Sequence, residues 1–397
     1  MPKVIHINSC VNWGSTGKIV EEINLAAGVQ GYKTYTAYGR SMNPSHSTLI
    51  KIGNEWTRNR AILEARLLDN SGLACIRETK RLVDYIKKLS PDIIHLHNLH
   101  AYYLNYKLLF EYLNTTTIPI VWTLHDCWAF TGHCAHFVSV KCNKWTSECN
   151  HCPQIHSYPS SWFLDKSKRN FTIKKDLFSN NNNVHIVTVS KWMEKMARMS
   201  FLRDLDIRTI YNGIDTNTFN IGSINKHDKI RLLGVASTWN EQKGLLDFIR
   251  LREKISKDKY EIVLVGLSER QIKNLPHGIE GHTRTNSTEE LVNYYRNSDI
   301  VLSLSYGESL GLTPIEGMAC GTPAIVYNNT AQPELVSNET GEVVETGNID
   351  ELVEAVYRVS IKGKSSYSMS CRERAMMLFN KENNYKEYVR LYDTLLL

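Results

Sequence analysis

The sequence predicts an α/β chain of two Rossmann-like domains whose parallel sheets face a central cleft. Three observations predict it. Short apolar runs alternate with longer amphipathic stretches, the pattern of parallel strands joined by crossover helices. The alternation restarts near Lys229, after the Gly/Asn/Asp-rich stretch NGIDTNTFNIGSINKHDK. At 397 residues the chain also exceeds what one hydrophobic core usually supports.

In chain order, KVIHINS, PDIIHLHNLH, IPIVWTLHD and VHIVTVSKW read as buried strands of the first half. KIRLLGVAST, YEIVLVGLS, DIVLSLS and TPAIVYNN do so in the second, with STEELVNYYRNS and NIDELVEAVYRVSI at helical spacing between them. The expected boundaries are a first domain over residues 1–212, with a cysteine-rich insertion at about 127–160, and a linker over 213–228. A second domain over 229–380 follows, and a last helix over 381–397 could cross back to the first domain.

Apolar residues make up 42% and charged residues 22%, values of a soluble globular enzyme rather than a disordered or fibrous chain. The net charge of +6 is modest; it admits an anionic membrane surface or a phosphorylated ligand but does not argue for nucleic acid. No basic-plus-apolar leader is readable, and no apolar run approaches the ~18 residues that span a bilayer, so a cytoplasmic protein is expected.

VNWGSTGKIVEEI looks like a phosphate loop but fails as one, because Asn12 stands where the first glycine belongs and Ile19 where the magnesium-binding hydroxyl belongs. A small-residue turn of Gly14, Ser15, Thr16 and Gly17 remains, opening a helix whose backbone N–H groups can face an anion. The competing reading is a tight turn in which glycine only relieves strain.

SYGESLGLTPIEGMACGTPAIVY is the most informative stretch. A strand should end near Ser305 and a helix begin near Thr313-Pro314, with capping-box spacing from Thr313 to Glu316. A phosphate there would meet the helix N-terminus, and Glu308 and Glu316 could accept hydrogen bonds from vicinal hydroxyls. Alternatively, Glu316 only caps its helix and Glu308 is solvated.

ESLGLTPIEGMACGTP, from Glu308 through Glu316 onward, resembles the E-x7-E signature of the large retaining glycosyltransferase family 4, whose members have the GT-B fold. The likeness spans nearly the whole chain: GSTGKI at the first glycine-rich loop, TLHD at the first domain's histidine motif, NGID between domains, and KGLLDF at the phosphate lysine. HLHNLHAYYLNY, TLHDCWAFTGHC and HTRTNSTEELVNYY are similar to a subgroup of bacterial transferases that build colanic-acid, capsule and O-antigen polysaccharides.

The resemblance implies that Glu316 holds the nucleotide ribose, that Glu308 holds donor-sugar hydroxyls, and that the N–H groups of Gly311, Leu312 and Thr313 lie near the diphosphate. Lys243 would neutralise that diphosphate. Gly281 and Arg284 would lie along the base, and Gly17 close to the phosphates. His125 would face the transferring sugar, while Gly14, Ser15, Thr16, His97 and Asn98 are acceptor-side candidates. The implied partners are a nucleotide-diphosphate sugar, UDP- or GDP-linked, and a glycan or lipid-linked oligosaccharide acceptor. No catalytic cofactor is implied. One feature departs from the family. An arginine usually precedes the phosphate lysine by five or six residues, and VASTWNEQKG offers Ser237, Thr238 and Trp239 instead. Arg284 or Lys18 are candidates for the second cation. The runner-up function is a catalytically degenerate relative that binds glycans or partners.

HLHNLH places His95 and His97 on one strand face, which admits a metallohydrolase, but no further ligand is placed for it. Cys134, Cys142, Cys149 and Cys152 could form a structural zinc site, since a loop this short of apolar residues would benefit from a staple; buried or free thiols are the alternative. WFLDKSKRNFTIKKDLF and SKWMEKMARMSFLRD combine basic and aromatic residues suited to peripheral contact with an anionic membrane, or to ordinary solvated helices.

Overall fold

Every residue from Val4 to Asn8 is buried, as a strand covered by helices on both faces requires. In the computed structural model, which describes residues 1–179, 181, 183–223 and 227–397, this strand (β1, Lys3–Asn8) lies inside a seven-stranded parallel sheet. Its companions are β2 (Lys33–Tyr38), β3 (Thr48–Lys51), β4 (Ile93–Leu96), β5 (Ile120–Leu124), β6 (Val184–Thr188) and β7 (Asp206–Thr209), in the order β3-β2-β1-β4-β5-β6-β7.

A second parallel sheet holds β8 (Ile230–Val235), β9 (Tyr260–Val265), β10 (Ile279–His282), β11 (Ile300–Ser303), β12 (Ala324–Tyr327) and β13 (Gly341–Val344), ordered β10-β9-β8-β11-β12-β13. Both are doubly wound sheets. In each the order reverses beside its first strand, between β1 and β4 and between β8 and β11, and such sheets bind ligands outside the strand C-termini at that reversal.

The apolar runs singled out eight strands, and the structure adds β2, β3, β7, β10 and β13. Four of these are sheet edges, where one flank stays unpaired and fewer apolar residues are needed.

One compact unit comprises Met1–Ile210 and Tyr385–Leu397, the other Tyr211–Asn384. In the first, Ile94, Leu96 and Trp122 face one core, while Val4, Ile93 and Val121 face another that Tyr385, Tyr388 and Tyr392 of the last helix complete. In the second, Ile214 and Phe219 are buried in the core. The Ile214 N–H donates to Phe379 O at 2.8 Å, and the Lys381 N–H to Ile214 O at 3.0 Å. Residues 224–226 of the expected linker lie outside the described residues.

The cysteine-rich insertion is not short of apolar packing. Trp128, Phe130, Phe137 and Trp145 are all buried, with Phe137 stacked on Trp145 at 4.7 Å between ring centroids. Lys174, from the expected basic face of the helix Ser167–Phe178, is buried too; its ammonium donates to Trp128 O at 2.6 Å and Thr131 O at 2.9 Å. Trp162 and Phe163 of the same basic stretch are exposed. Among the described residues, no helix is long and apolar enough to cross a membrane.

Candidate active site

At the reversal of the second sheet, two loops carry the acidic and basic candidates. After β8 the chain runs through Asn240, whose side chain accepts the Lys243 N–H at 3.0 Å and closes a short 3-10 turn. Gly244 follows at φ +73°, where a Cβ would lie 2.1 Å from Leu304 O. Glycine is therefore required for the two loops to approach. After β11, the Tyr306 N–H donates to Gln242 O at 2.8 Å and the Tyr306 hydroxyl to Asp247 at 2.8 Å, tying the second loop to the first. The result is an ion pair between Lys243 Nζ and Glu308 Oε1 at 2.5 Å, with both side chains partly exposed. The Glu308 N–H donates to Thr330 Oγ1 at 3.0 Å.

The helix Leu312–Ala319 starts one residue before the expected point, with Gly311 (φ +95°) as its N-cap and no side-chain cap. The expected Thr313–Glu316 capping box is not formed, because Thr313 already lies inside the helix and Glu316 Oε2 accepts the Tyr295 hydroxyl at 2.7 Å. Gly281 lies inside β10, one residue before its end at His282, and Arg284 is exposed on the loop that follows. Of the residues standing where a clamp arginine was expected, Trp239 is packed in the core and donates to Val265 O at 2.9 Å, while Ser237 and Thr238 are exposed.

At the reversal of the first sheet, the helix Gly14–Val29 already includes Gly14, Ser15, Thr16 and Gly17, so they form its first turn rather than a turn before it. Trp13 provides no side-chain cap, and the turn itself is made by Asn12 at φ +45°. Gly17 is packed closely, since a Cβ there would lie 3.2 Å from the Asn12 nitrogen. Lys18 is exposed.

His125 follows β5 and His97 follows β4. His97 Nδ1 lies 3.1 Å from His125 Nε2, and His97 Nε2 lies 3.1 Å from His6 Nδ1. His97 is thus engaged at both ring nitrogens and only 2% exposed, and it lines the concavity at the ends of β4 and β5 together with Asn98 and His125. Asn98 is half-buried, and its carbonyl accepts the Tyr103 hydroxyl at 2.9 Å. Burial lowers the His125 ring to about 4 and His6 to about 3, and holds His95 and His97 well below their ordinary value. Burial alone would raise the Asp126 carboxyl, but His100, 2.8 Å away, holds it below the usual carboxylate range.

The four cysteines expected as zinc ligands gather beside the insertion's aromatic core. Cys134 and Cys152 are close enough to perturb each other's thiols, and Cys149 Sγ accepts the Gly132 N–H at 3.2 Å. Among the described residues, the one trio of potential ligands with donor atoms within 4.8 Å of one another is His6, His95 and His97, not these thiols. Tyr295, Thr330, Asn240 and His6 escaped the sequence reading. Of these only His6 had left a signal, a polar residue inside an otherwise apolar strand.

The model of glycosyl transferases group 1 matches residues 216–376, and that of glycosyltransferase family 4 matches residues 59–218. The chain is 22% identical over 417 aligned residues, covering 99% of it and 100% of the relative, to a putative colanic acid biosynthesis glycosyl transferase, WcaC, of Escherichia coli. Among solved structures, sucrose-phosphate synthase of Thermosynechococcus elongatus superposes with a TM-score of 0.73 at 18% identity, covering 100% of this chain and 99% of that one. HepE of Anabaena, in complex with UDP, does so with a TM-score of 0.67 at 13% identity, covering 99% and 100%. The two doubly wound sheets are those of the GT-B fold, and the chain belongs to the family 4 (group 1) glycosyltransferases.

Proposed function

We propose that this chain is a retaining glycosyltransferase of the hexosyl type. It moves a sugar from a nucleotide-diphosphate donor to a hydroxyl of a bacterial surface glycan, in its lipid-linked form. The observation that carries the reading is the pairing of Lys243 with Glu308 across the reversal of the second sheet, beside the helix opened by Gly311. That loop offers a cation and a helix N-terminus for a diphosphate and a carboxylate for sugar hydroxyls.

Departure of the diphosphate builds negative charge on its oxygens, which the Lys243 ammonium and the N–H groups of Gly311, Leu312 and Thr313 would stabilise. Glu308 would accept hydrogen bonds from the sugar and Glu316 from the ribose. His125 would contact the transferring sugar, and Gly17 with its turn the phosphate or acceptor side. The acceptor hydroxyl would attack from the face the leaving group vacates, its proton passing to the departing phosphate. The likeness to WcaC supports a surface-polysaccharide acceptor, and the UDP complex of HepE makes uridine diphosphate the first donor scaffold to try.

The test is a thermal-shift panel of nucleoside diphosphates, followed by NMR of the anomeric product. Stabilisation by one diphosphate, lost in Glu316→Ala, is expected. Binding that survives this substitution would refute the ribose role.

A further inference from the structure

We propose that His6 and His97 are positioning residues that lock His125 in one tautomer, so that its Nδ1–H is presented as a hydrogen-bond donor to a sugar oxygen. The kinetic consequence rests on the transferase reading, whereas the tautomer itself does not.

Three histidines from three strands form a row. His6 lies on β1, His97 just beyond β4, and His125 just beyond β5. Successive ring centroids are 5.4 Å apart, with planes within 17° and 22° of each other. The contacts alternate in one sense along the row, Nδ1 of His6 to Nε2 of His97 and Nδ1 of His97 to Nε2 of His125, both at 3.1 Å. All three rings are buried and neutral, so each carries one N–H. Every nitrogen–nitrogen contact needs one donor and one acceptor. The row therefore has a single polarity, and the ring at one end dictates the tautomer at the other.

The inner end decides it. His6 Nε2 is fully buried and, among the described residues, has no partner. If the row pointed inward, that atom would be an N–H donor with nothing to receive it; pointed outward, it is a bare nitrogen. Orphaned buried N–H groups are the rarer outcome in proteins. The outward polarity puts protons on Nδ1 of His6, His97 and His125. At the outer end, His125 lines a shallow concavity at the C-terminal ends of β4 and β5 with Asn98, His100, Asp126 and Trp128. His125 is thereby a donor at Nδ1 and not a base.

The same cluster could be taken for a metal centre, since ligand atoms of His6, His95 and His97 lie within 4.8 Å of one another. The hydrogen bonds argue otherwise. His95 is engaged at both nitrogens, by the Tyr392 hydroxyl at 2.5 Å and by Thr123 Oγ1 at 2.8 Å, and His97 is engaged at both by its neighbours. A metal would have to displace these contacts.

Long-range proton–nitrogen correlation spectra of the full chain, with nitrogen-labelled histidine, read each tautomer directly. The expected result is an Nδ1–H form for His6, His97 and His125 at neutral pH. An Nε2–H form at His125, an averaged signal, or stoichiometric zinc that shifts the His6, His95 and His97 signals would overturn the proposal. A second variant tests the coupling. His6→Met offers only a weak sulfur acceptor, so the row should reverse, His125 should change to the Nε2–H form, and kcat should fall about tenfold or more for the lost hydrogen bond. His125 unchanged in a folded His6→Met protein would sink the relay. Nucleoside-diphosphate binding is followed in parallel; if it is absent in the parent chain, the transferase reading fails while the tautomer result stands by itself.

Discussion

The ammonium of Lys243 lies 2.5 Å from a carboxylate oxygen of Glu308, joining the loop after β8 to the loop after β11. On the proposed function, a diphosphate on Lys243 would share that cation with Glu308, and the pair would set both the affinity for the donor and the place of its sugar.

Glu308→Gln removes the competing anion but keeps the shape. A partly exposed pair is worth about 0.2–1 kcal/mol, so nucleoside-diphosphate affinity should rise only about 1.5–5-fold while turnover falls at least about 100-fold. Lys243→Ala should instead weaken the diphosphate about 10–100-fold, as expected for a lost charge-assisted contact. Calorimetry of the two variants beside a rate assay separates the effects; weaker binding in Glu308→Gln would refute the shared cation.

The Tyr295 hydroxyl holds Glu316 at 2.7 Å, and burial, helped by that carboxylate, raises the phenol well above its ordinary range, so it remains a donor. Tyr295→Phe should cost about 1 kcal/mol of nucleotide affinity by releasing Glu316 from its orientation. The removed hydroxyl should leave the kcat of saturated enzyme nearly unchanged. A change in kcat alone would argue against an orienting role.

Four buried histidines make the first unit sensitive to acid. His6 is lowered to about 3 and His125 to about 4, and His95 and His97 also lie well below 6.5, in each case because burial disfavours the charged ring. Above the unfolded value of about 6.5, both folded and unfolded chains carry neutral rings and the effect vanishes. Below it the unfolded chain binds protons that the folded chain refuses, so stability is lost as pH falls, by about 1.4 kcal/mol per pH unit for each ring until its folded value is reached. Urea unfolding at about pH 7 and about pH 5 should show a steep loss. Equal midpoints would contradict neutral burial. By the same reasoning, kcat/KM should show no histidine inflection between about pH 6 and about pH 8 from His125.

Gly244 and Gly14 both have positive φ, +73° and +64°, but they differ in what surrounds them: a Cβ at Gly244 would lie 2.1 Å from the backbone carbonyl oxygen of Leu304, whereas one at Gly14 would meet open space. Gly14→Ala should cost only the left-handed penalty of about 1–2 kcal/mol. Gly244→Ala adds a clash with backbone that cannot move aside, so its loss should exceed that of Gly14→Ala by at least about 1 kcal/mol in chemical denaturation. Equal losses would show that the two loops are not held together at this point.

Cys152 should be the first thiol to react. The neighbouring Cys134 thiol holds it below its ordinary value despite burial, while burial pushes Cys149 up to about 11. Brief iodoacetamide treatment near neutral pH, followed by peptide mass mapping, should label Cys152 ahead of Cys134 and Cys149. Labelling of Cys152 that appears only after EDTA would mark these thiols as the zinc ligand set expected from their spacing.

Much was legible from the sequence alone, and what was legible is local. The buried strands announced themselves as apolar runs, because strands covered on both faces admit little else. The second-domain loop between Ser305 and Thr313 was readable because strand end, glycine, proline and the Glu308–Glu316 spacing lie within a few residues. The edge strands β3, β7, β10 and β13 were not, since an unpaired flank relaxes the demand for apolar side chains.

The capping box between Thr313 and Glu316 was misread because its glutamate is claimed by Tyr295, 21 residues earlier. Lys243 meets Glu308 across 65 residues, His97 meets His125 across 28, and His6 meets His97 across 91. These pairings follow from the order of strands in each sheet, which places β1 beside β4 and β8 beside β11. No one-dimensional pattern encodes that order. The sequence determined which side chains were available and on which strand ends they would stand; the tertiary structure decided which of them touch, because only the assembled sheet brings distant strand ends within hydrogen-bond reach.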